Sequence, residues 1–260
     1  MIRITKIVKE KGNFYQVNFD NQEKIRVSED LLVHFRLLKD SEVNEETLKE
    51  IKRSAGYDVG LQLAMNYISY QLRTEKEIYR FLKEKEISIE DTRKIIRRLK
   101  ELQLVDDLNY GKSYVRTQMR LSDKGPIVIM QQLRKKGLTD IVIQEVIQLY
   151  SSEAQLDIAI KTAQKSIKSI HGKSHKETLQ KLRVKLMQKG FSSEVISMAM
   201  EEVLYEKDDV TEWEALAKEG AKLLKKFRND KYKMKQKLYQ KGFDLDLIQR
   251  FIDEEVIDEE

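Results

Sequence analysis

The six residues Leu-Arg-Lys-Lys-Gly-Leu at positions 133–138 recur twice downstream in closely similar form. They return as Leu-Met-Gln-Lys-Gly-Phe at 186–191 and as Leu-Tyr-Gln-Lys-Gly-Phe at 238–243, and a weaker copy, Leu-Lys-Glu-Lys-Glu-Ile, occupies 82–87. The leading leucines of the four copies are 51, 53 and 52 residues apart. Because a fixed period of this length is typical of tandem structural repeats, the sequence predicts four repeats of about 52 residues.

Each repeat carries start and stop signals for three helices. In the first repeat a helix is expected from about residue 55 to 72. The capping box Thr74-Glu75-Lys76-Glu77 then begins a second helix, and Ser88 caps a third helix that runs to about residue 102. In the second repeat, Pro126 suits the first turn of the middle helix and Gly137 suits its end.

The two C-terminal repeats follow the same order. Ser174-His175-Lys176-Glu177 is a further capping box at the start of a middle helix, and Thr211 is expected to open the fourth repeat. Three helices in each of four repeats predict twelve helices in the array. Units this small need their neighbours to complete a core, so the pattern favours an elongated solenoid.

The first fifty residues follow a different pattern, in which apolar and polar side chains alternate. Turn residues at 11–13 and 20–21 separate three predicted antiparallel strands, at about residues 2–10, 13–19 and 23–27, and Ser28 is expected to cap a short helix. The predicted fold class is mainly α, an elongated solenoid of four tandem three-helix repeats preceded by a small β-rich N-terminal domain. The expected boundaries are 1–50 for the β-rich domain and 51–105, 106–153, 154–206 and 207–260 for the repeats.

Composition supports a helical, intracellular protein. The chain has 1 proline and 10 glycines in 260 residues, too few for the many turns of an all-β fold. It has no cysteine, which excludes disulfides, cysteine-bound zinc and thiol nucleophiles. We find no signal peptide and no apolar run of membrane-spanning length, so a cytoplasmic location is expected. The net charge of +5 and the isoelectric point near 9.0 indicate a polyanionic partner.

Motifs for catalysis are missing from the sequence. It contains no phosphate-binding glycine loop, no HExxH metal motif and no nucleophile elbow. His171 and His175 could share one helical face as metal ligands, but Gly172 and Ser174 place them at a helix boundary, where a loop and cap role is the simpler interpretation. Acid pairs at 106–107 and 208–209 begin repeats and are interpreted as helix caps. The sequence therefore predicts a protein without enzymatic activity, metal or cofactor.

Basic residues are concentrated in the first and middle helices of the later repeats. There are 7 basic and 1 acidic residues at 112–136, 9 and 1 at 161–189, and 10 and 2 at 218–241. Stacked repeats would join these helices into a positive surface suited to a phosphate backbone, although charge runs can also be solvated helix faces. The predicted nucleic-acid and filament contacts are Arg116, Arg120, Lys124, Arg134, Lys135, Lys136, Lys181, Arg183, Lys185, Lys189, Lys225, Lys226, Arg228, Lys233, Lys235 and Lys237. Four interleaved tyrosines could stack on bases or pack between helices: Tyr110, Tyr114, Tyr232 and Tyr239.

Repeat two resembles a known family. The order Val-Asp-Asp-Leu-Asn-Tyr-Gly-Lys-Ser-Tyr-Val-Arg at 105–116, Lys-Gly-Pro-Ile at 124–127 and Leu-Arg-Lys-Lys-Gly at 133–137 is similar to the core pattern of the RecX family. The resemblance is strong over about residues 55–150, and repeats three and four resemble degenerate copies. Gly111 stands where the family usually has alanine, and Glu86 stands where the other repeats have the terminating glycine. The β-rich start and the length of 260 residues resemble the long Gram-positive form.

The resemblance implies a regulator of the RecA recombinase that is not an enzyme. Such proteins bind RecA–DNA filaments, lying in the groove or blocking extension, and lower strand exchange and the coupled ATP hydrolysis. For this chain it implies a RecA filament and single- or double-stranded DNA as partners. The lack of long apolar runs predicts no membrane partner, and a monomer is expected. Two alternatives stay open: a sequence-tolerant DNA-binding array that acts without RecA, and an interaction scaffold that binds no nucleic acid.

Overall fold

The computed structural model describes residues 1–10, 12–203, 208–227 and 230–255, and these contain four strands and thirteen helices. The strands are β1 Ile2–Lys9, β2 Phe14–Phe19, β3 Lys24–Ser28 and β4 Glu42–Val43. The helices are α1 Glu29–His34, α2 Glu45–Ser69, α3 Glu75–Glu84, α4 Ile89–Glu101, α5 Asp107–Leu121, α6 Pro126–Lys136, α7 Asp140–Ile147, α8 Ser152–Ile167, α9 His175–Lys189, α10 Ser193–Glu202, α11 Asp209–Phe227, α12 Lys231–Gln240 and α13 Leu245–Glu255. All regular elements described beyond residue 50 are helical, as the sequence predicts.

The N-terminal domain is a small antiparallel sheet with strand order β3-β2-β1-β4. Three strands lie where the alternation predicts them, and their inward side chains, such as Ile4, Val17 and Val27, are fully buried. The sequence does not predict β4, because two residues are too few to show an alternation. Ser28 caps α1 as predicted, accepting a hydrogen bond from the Leu31 backbone N–H at 3.1 Å.

The first helix of repeat one starts earlier than expected. It begins at Glu45 rather than near residue 55, because the Asn44 side chain accepts a hydrogen bond from the Thr47 backbone N–H at 2.7 Å and caps the helix there. Leu48 is buried in the core of the N-terminal domain, whereas Ala64 is buried in the core of repeat one. One helix therefore serves both cores, and the expected boundary between residues 50 and 51 lies inside it.

The remaining helices form successive groups of three, which confirms the three-helix repeats. At α3 the predicted capping box is complete, with Thr74 and Glu77 each accepting a hydrogen bond from the other's backbone N–H. At α9 Ser174 caps as predicted, but the Glu177 carboxylate forms ion pairs with lysines. The first helix of repeat four is capped by Asp208, as the acid pair predicts, since the Asp208 carboxylate accepts a hydrogen bond from the Thr211 backbone N–H. The expectation that Thr211 opens this helix is wrong by three residues.

The middle helices α3, α6, α9 and α12 meet in sequence order through their ends. The Thr74 hydroxyl at the start of α3 donates a hydrogen bond to the Lys136 carbonyl at the end of α6, at 2.8 Å. The Ser174 hydroxyl at the start of α9 donates likewise to the Lys241 carbonyl after α12, at 2.6 Å. Between them, the Gly125 backbone N–H donates to the Lys189 carbonyl at the end of α9, at 2.7 Å. We call each of these three contacts an inter-repeat joint.

The glycine of each Lys-Gly phrase makes the joint possible. Gly137, Gly190 and Gly242 have φ angles of +100°, +89° and +90°, which side-chain-bearing residues rarely adopt. A β carbon on Gly190 would lie 2.6 Å from the Val128 backbone nitrogen, and one on Gly137 would collide with Lys76. The recurring phrase is therefore both a helix terminator and the surface on which the preceding repeat sits.

The chain divides into two compact units. The first unit comprises residues 1–113 and 133–146, and the second comprises residues 114–132 and 147–260. The joint of Thr74 with Lys136 belongs to the first unit, and the two other joints belong to the second. The elongated stacking of the repeats stays a prediction.

Candidate nucleic-acid interface

Helix α9 in the second unit presents a row of lysines. Its apolar side is buried through Thr178, Leu182 and Leu186. Lys181, Lys185 and Lys189 recur every fourth residue and so lie along one side of the helix. The predicted contact Arg183 is exposed but falls between these positions, away from the row.

This row lines two adjoining cavities. One, of about 710 Å³, is bounded by the row together with Lys124, Glu177 and the apolar Val128 and Val184. The other, of about 830 Å³, shares Lys185 and Lys189 with the first cavity. Its remaining charged lining residues are Arg120, Asp123, Lys161 and Lys165. We call the seven bases of these two cavities the basic groove: Arg120, Lys124, Lys161, Lys165, Lys181, Lys185 and Lys189.

Two carboxylates at the groove are matched by lysines. Lys189 lies 2.7 Å from Asp123, and Lys181 lies 3.1 Å from Glu177. Burial alone would raise the pKa of Asp123, but the hydrogen bond and charge of Lys189 outweigh it and lower that pKa. The pKa of Glu177 is lowered in the same way, against burial, by Lys181 and Lys173. Seven bases against two ionised acids leave the groove positive.

Neighbouring polar groups hold Lys124 in place. Its ammonium donates to the side-chain oxygens of Gln118, at 2.9 Å, and Gln132, at 3.3 Å, and its carbonyl accepts a hydrogen bond from the Tyr150 hydroxyl at 3.1 Å. Burial raises the pKa of Tyr150 to about 12. Tyr114 donates to Gln132 at 2.7 Å, so this half-buried ring serves helix packing.

Predicted contacts at the end of α6 belong to the first unit and have other roles. Lys136 pairs with Glu77 at 2.8 Å across the inter-repeat joint and lies 5.5 Å from the centre of the Tyr110 ring. Burial would lower the pKa of Lys136, but the hydrogen bond to Glu77 outweighs it and raises that pKa. Arg134 pairs with Asp140 at 2.7 Å, whereas Lys135 is exposed.

The other predicted contacts lie outside the groove. Arg116 is exposed on α5, and Lys225 and Lys226 are exposed near the end of α11. Arg228 lies outside the described residues. Three further predicted contacts lie on α12 and bind neighbouring side chains: Lys233, Lys235 and Lys237.

Sequence reasoning missed two groove residues. Lys161 and Lys165 on α8 lie within the basic run at 161–189 but are not among the predicted contacts. Their spacing of four residues matches that of the α9 row and could have indicated them. No pattern in the sequence shows that α8 and α9 place their lysines around one cavity, since that depends on how the helices pack.

The acid pairs cap helices, in one case across repeats. Asp106 caps α5, as predicted, whereas Asp107 accepts a hydrogen bond at 2.9 Å from the Glu75 backbone N–H at the start of α3. Burial raises the pKa of Asp107. Glu212 caps α9 in the same way as Asp107 caps α3. Its carboxylate accepts a hydrogen bond from the His175 backbone N–H at 2.7 Å. Within the described residues there is no cluster of three His, Asp or Glu side chains that could hold a metal ion.

Comparison with known proteins assigns the family. The model of the first RecX three-helix domain matches residues 61–99, that of the second matches 106–147, and that of the third matches both 153–200 and 211–252. The chain belongs to the RecX family. Because one domain model matches twice, repeats three and four of this chain resemble each other, as their Lys-Gly phrases indicate.

Relatives and solved structures extend the match to nearly the whole chain. The chain is 50% identical to Regulatory protein RecX of Enterococcus faecalis, over 99% of each, and 36% identical to that of Bacillus subtilis, over 97% of this chain and 98% of the relative. A crystal structure of regulatory protein RecX matches with a TM-score of 0.62 and 33% identity, covering 77% of this chain and all of that one. RecX from Lactobacillus salivarius matches with a TM-score of 0.56 and 36% identity, over 58% of this chain and 97% of that one. None of the helices described is long and apolar enough to cross a membrane.

Proposed function

We propose that this RecX-family protein is a negative regulator of the RecA recombinase. It binds RecA–DNA filaments through its basic helices and inhibits filament extension, strand exchange and the coupled ATP hydrolysis. The observation that carries the proposal is the basic groove of the second unit. Several ammonium groups around one concave surface suit the closely spaced phosphates of a nucleic-acid backbone.

Three groove lysines are the best placed for phosphate. Lys161, Lys165 and Lys185 form no ion pair within the described part of the chain, whereas Lys181 and Lys189 bind carboxylates. An ammonium without a carboxylate partner loses less favourable interaction free energy when it binds phosphate, because no existing ion pair has to break. We therefore assign the strongest backbone contacts to these three side chains.

The proposal contains no catalytic step by this chain. Regulation follows from occupancy of the filament, so the purified protein is expected not to hydrolyse ATP or cut DNA. ATP turnover that follows the protein through purification and disappears on a single substitution would overturn this. A cytoplasmic location and a monomeric state belong to the same proposal, and the cysteine-free composition fits a reducing compartment.

The deciding experiment measures RecA-catalysed ATP hydrolysis on single-stranded DNA with and without this protein. We compare the unaltered protein with the triple variant Lys161→Gln, Lys165→Gln, Lys185→Gln. A matched control removes three positive charges from exposed sites of the N-terminal domain and α2, by Lys6→Gln, Lys24→Gln and Lys49→Gln. We expect inhibition by the unaltered protein and the control, and about tenfold more of the groove variant for the same inhibition.

The outcomes separate the alternatives. Equal loss in both triple variants would show that net charge alone matters and would refute the assignment to the groove. Tight DNA binding without any effect on RecA would favour the array that acts without RecA. Binding to neither DNA nor filaments would favour the scaffold.

A further inference from the structure

Helix α12 exposes two aromatic rings on one side. The side chains of Tyr232 and Tyr239 are 78% and 57% exposed, while Met234 and Leu238 bury the opposite side of the helix. Seven residues are nearly two turns, so the two rings lie along the same line about 10 Å apart. Large aromatic surfaces cost free energy in water, and an exposed pair aligned in this way is typical of a binding surface.

The charge of this helix restricts the partner. Within α12, which contains four lysines and no acidic residue, Lys235 lies between the two tyrosines along the helix and donates a hydrogen bond to Gln249 at 3.0 Å. The capping Asp230 is matched by Lys233 at 2.8 Å. Rings interleaved with ammonium groups suit a ligand that has flat apolar faces and a negative backbone at once.

The other two candidate tyrosines provide the contrast. Tyr110 and Tyr114 are half-buried, with Lys136 over the ring of Tyr110 and Gln132 bound to the hydroxyl of Tyr114. Packing between helices accounts for both. It does not account for Tyr232 and Tyr239, whose rings face solvent.

We infer that Tyr232 and Tyr239 form a base-stacking site for single-stranded nucleic acid, with the lysines of α12 as phosphate contacts. The inference rests on the nucleic-acid class of the proposed function and adds the strand form and the two stacking residues. Every base offers a flat face to an aromatic ring, so the site is expected to be tolerant of sequence. Inside a duplex both faces of each base are covered by its neighbours, so only an opened strand offers free faces to two rings about 10 Å apart.

An abasic strand separates stacking from charge. Fluorescence anisotropy of the full-length protein is measured at one salt concentration with a labelled 20-nucleotide dT strand, an abasic strand of equal length and a duplex. The test variant is Tyr232→Ala with Tyr239→Ala, and Tyr232→Phe with Tyr239→Phe keeps the rings. Tyr70→Ala, at a site 86% exposed after α2, controls for the loss of an exposed ring elsewhere.

We expect the alanine pair to weaken dT binding at least about tenfold. Binding to the abasic strand and the duplex stays within about twofold, and the phenylalanine pair and Tyr70→Ala match the unaltered protein. Unchanged dT binding by the alanine pair, or equal losses on dT and abasic strands, would overturn the inference. Loss of RecA inhibition with unchanged dT binding would also overturn it, because the rings would then contact protein. Failure of the unaltered protein to inhibit RecA refutes the proposed function alone, since these binding measurements contain no RecA.

Discussion

The lysines at the inter-repeat joints have the same chemistry as Lys161, Lys165 and Lys185, the groove lysines that form no ion pair in the described residues, but a different role. Lys189 belongs to both the joint and the basic groove. Lys136, Lys189 and Lys241 end middle helices, and each lies 2.7–2.8 Å from a carboxylate. Lys185 lies one turn before Lys189 on α9, yet no ion pair engages it in the described residues. A count of positive charges therefore overstates the number of lysines available to bind nucleic acid, because a lysine paired with a carboxylate stabilises the fold. Substitutions can separate the two roles.

The largest expected effect is on the joint itself. Gly190→Ala forces a side chain into a left-handed backbone and against the Val128 backbone nitrogen, which should lower the free energy of unfolding by about 2–5 kcal/mol. Gly172→Ala is the control, because Gly172 has φ +64° but its β carbon would meet nothing closer than 3.6 Å. Urea unfolding of both variants checks this. Equal losses would show that the joint adds nothing to the cost of the backbone conformation.

The ion pairs of Glu219, inside repeat four, predict a dependence on pH. Hydrogen bonds from Lys222 and Lys241 lower the pKa of the buried Glu219 from 4.5 to about 2. The folded state therefore binds the proton more weakly, and this stabilisation is complete above pH 4.5 and lost as the pH falls towards 2. Glu219→Gln should cost about 2–3 kcal/mol at pH 7 and much less near pH 2. Glu214→Gln, at an exposed site on the same helix, should show no such difference in unfolding between the two pH values.

The groove variant should change binding without changing stability. Removing Lys161, Lys165 and Lys185 should reduce the slope of log affinity for DNA against log salt concentration by about 2–3, since each lost phosphate contact removes about 0.7–0.9. Its urea midpoint should match that of the unaltered protein. A lower urea midpoint with an unchanged salt slope would show that these three lysines stabilise the fold and do not bind phosphate.

The smallest expected effect distinguishes neighbours at the end of α6. Lys136→Ala breaks a partly buried ion pair with Glu77 and should cost about 1 kcal/mol of unfolding free energy. Lys135→Ala, at an exposed site, should cost less than about 0.5 kcal/mol. A combined change of Arg134, Lys135 and Lys136 would consequently mix a loss of stability with a loss of charge. If thermal unfolding does not separate the two single variants, the Glu77 pair is not stabilising.

Local signals in the sequence predict much of the fold. Cap residues such as Ser28, Thr74 and Ser174 act over three or four neighbours, so their helix starts can be predicted from the sequence alone. The early start of α2 depends on the Asn44 cap, which the sequence pattern does not predict. The sequence predicts an excess of basic residues in this region but not the basic groove itself. Lys161 and Lys185 line one cavity only because of the way α8 and α9 pack together. The role of Lys136 depends on Glu77, which is 59 residues away in the chain.

Each inter-repeat joint links the start of one middle helix to the end of the next middle helix. The end of the first middle helix and the start of the last one carry different residues from those joints. At the first middle helix, Glu86 with φ +60° stands where the later repeats have glycine, and it carries the β carbon that those joints exclude. At the last one the cap is Asp230, whose carboxylate accepts a hydrogen bond from the Lys233 backbone N–H. The joints at Thr74 and Ser174 use a hydroxyl donor instead, and the joint at Gly125 uses a backbone N–H. Head-to-tail growth into open fibres requires both halves of such a contact. At the Glu86 end, such growth would place a β carbon where the glycine joints exclude one.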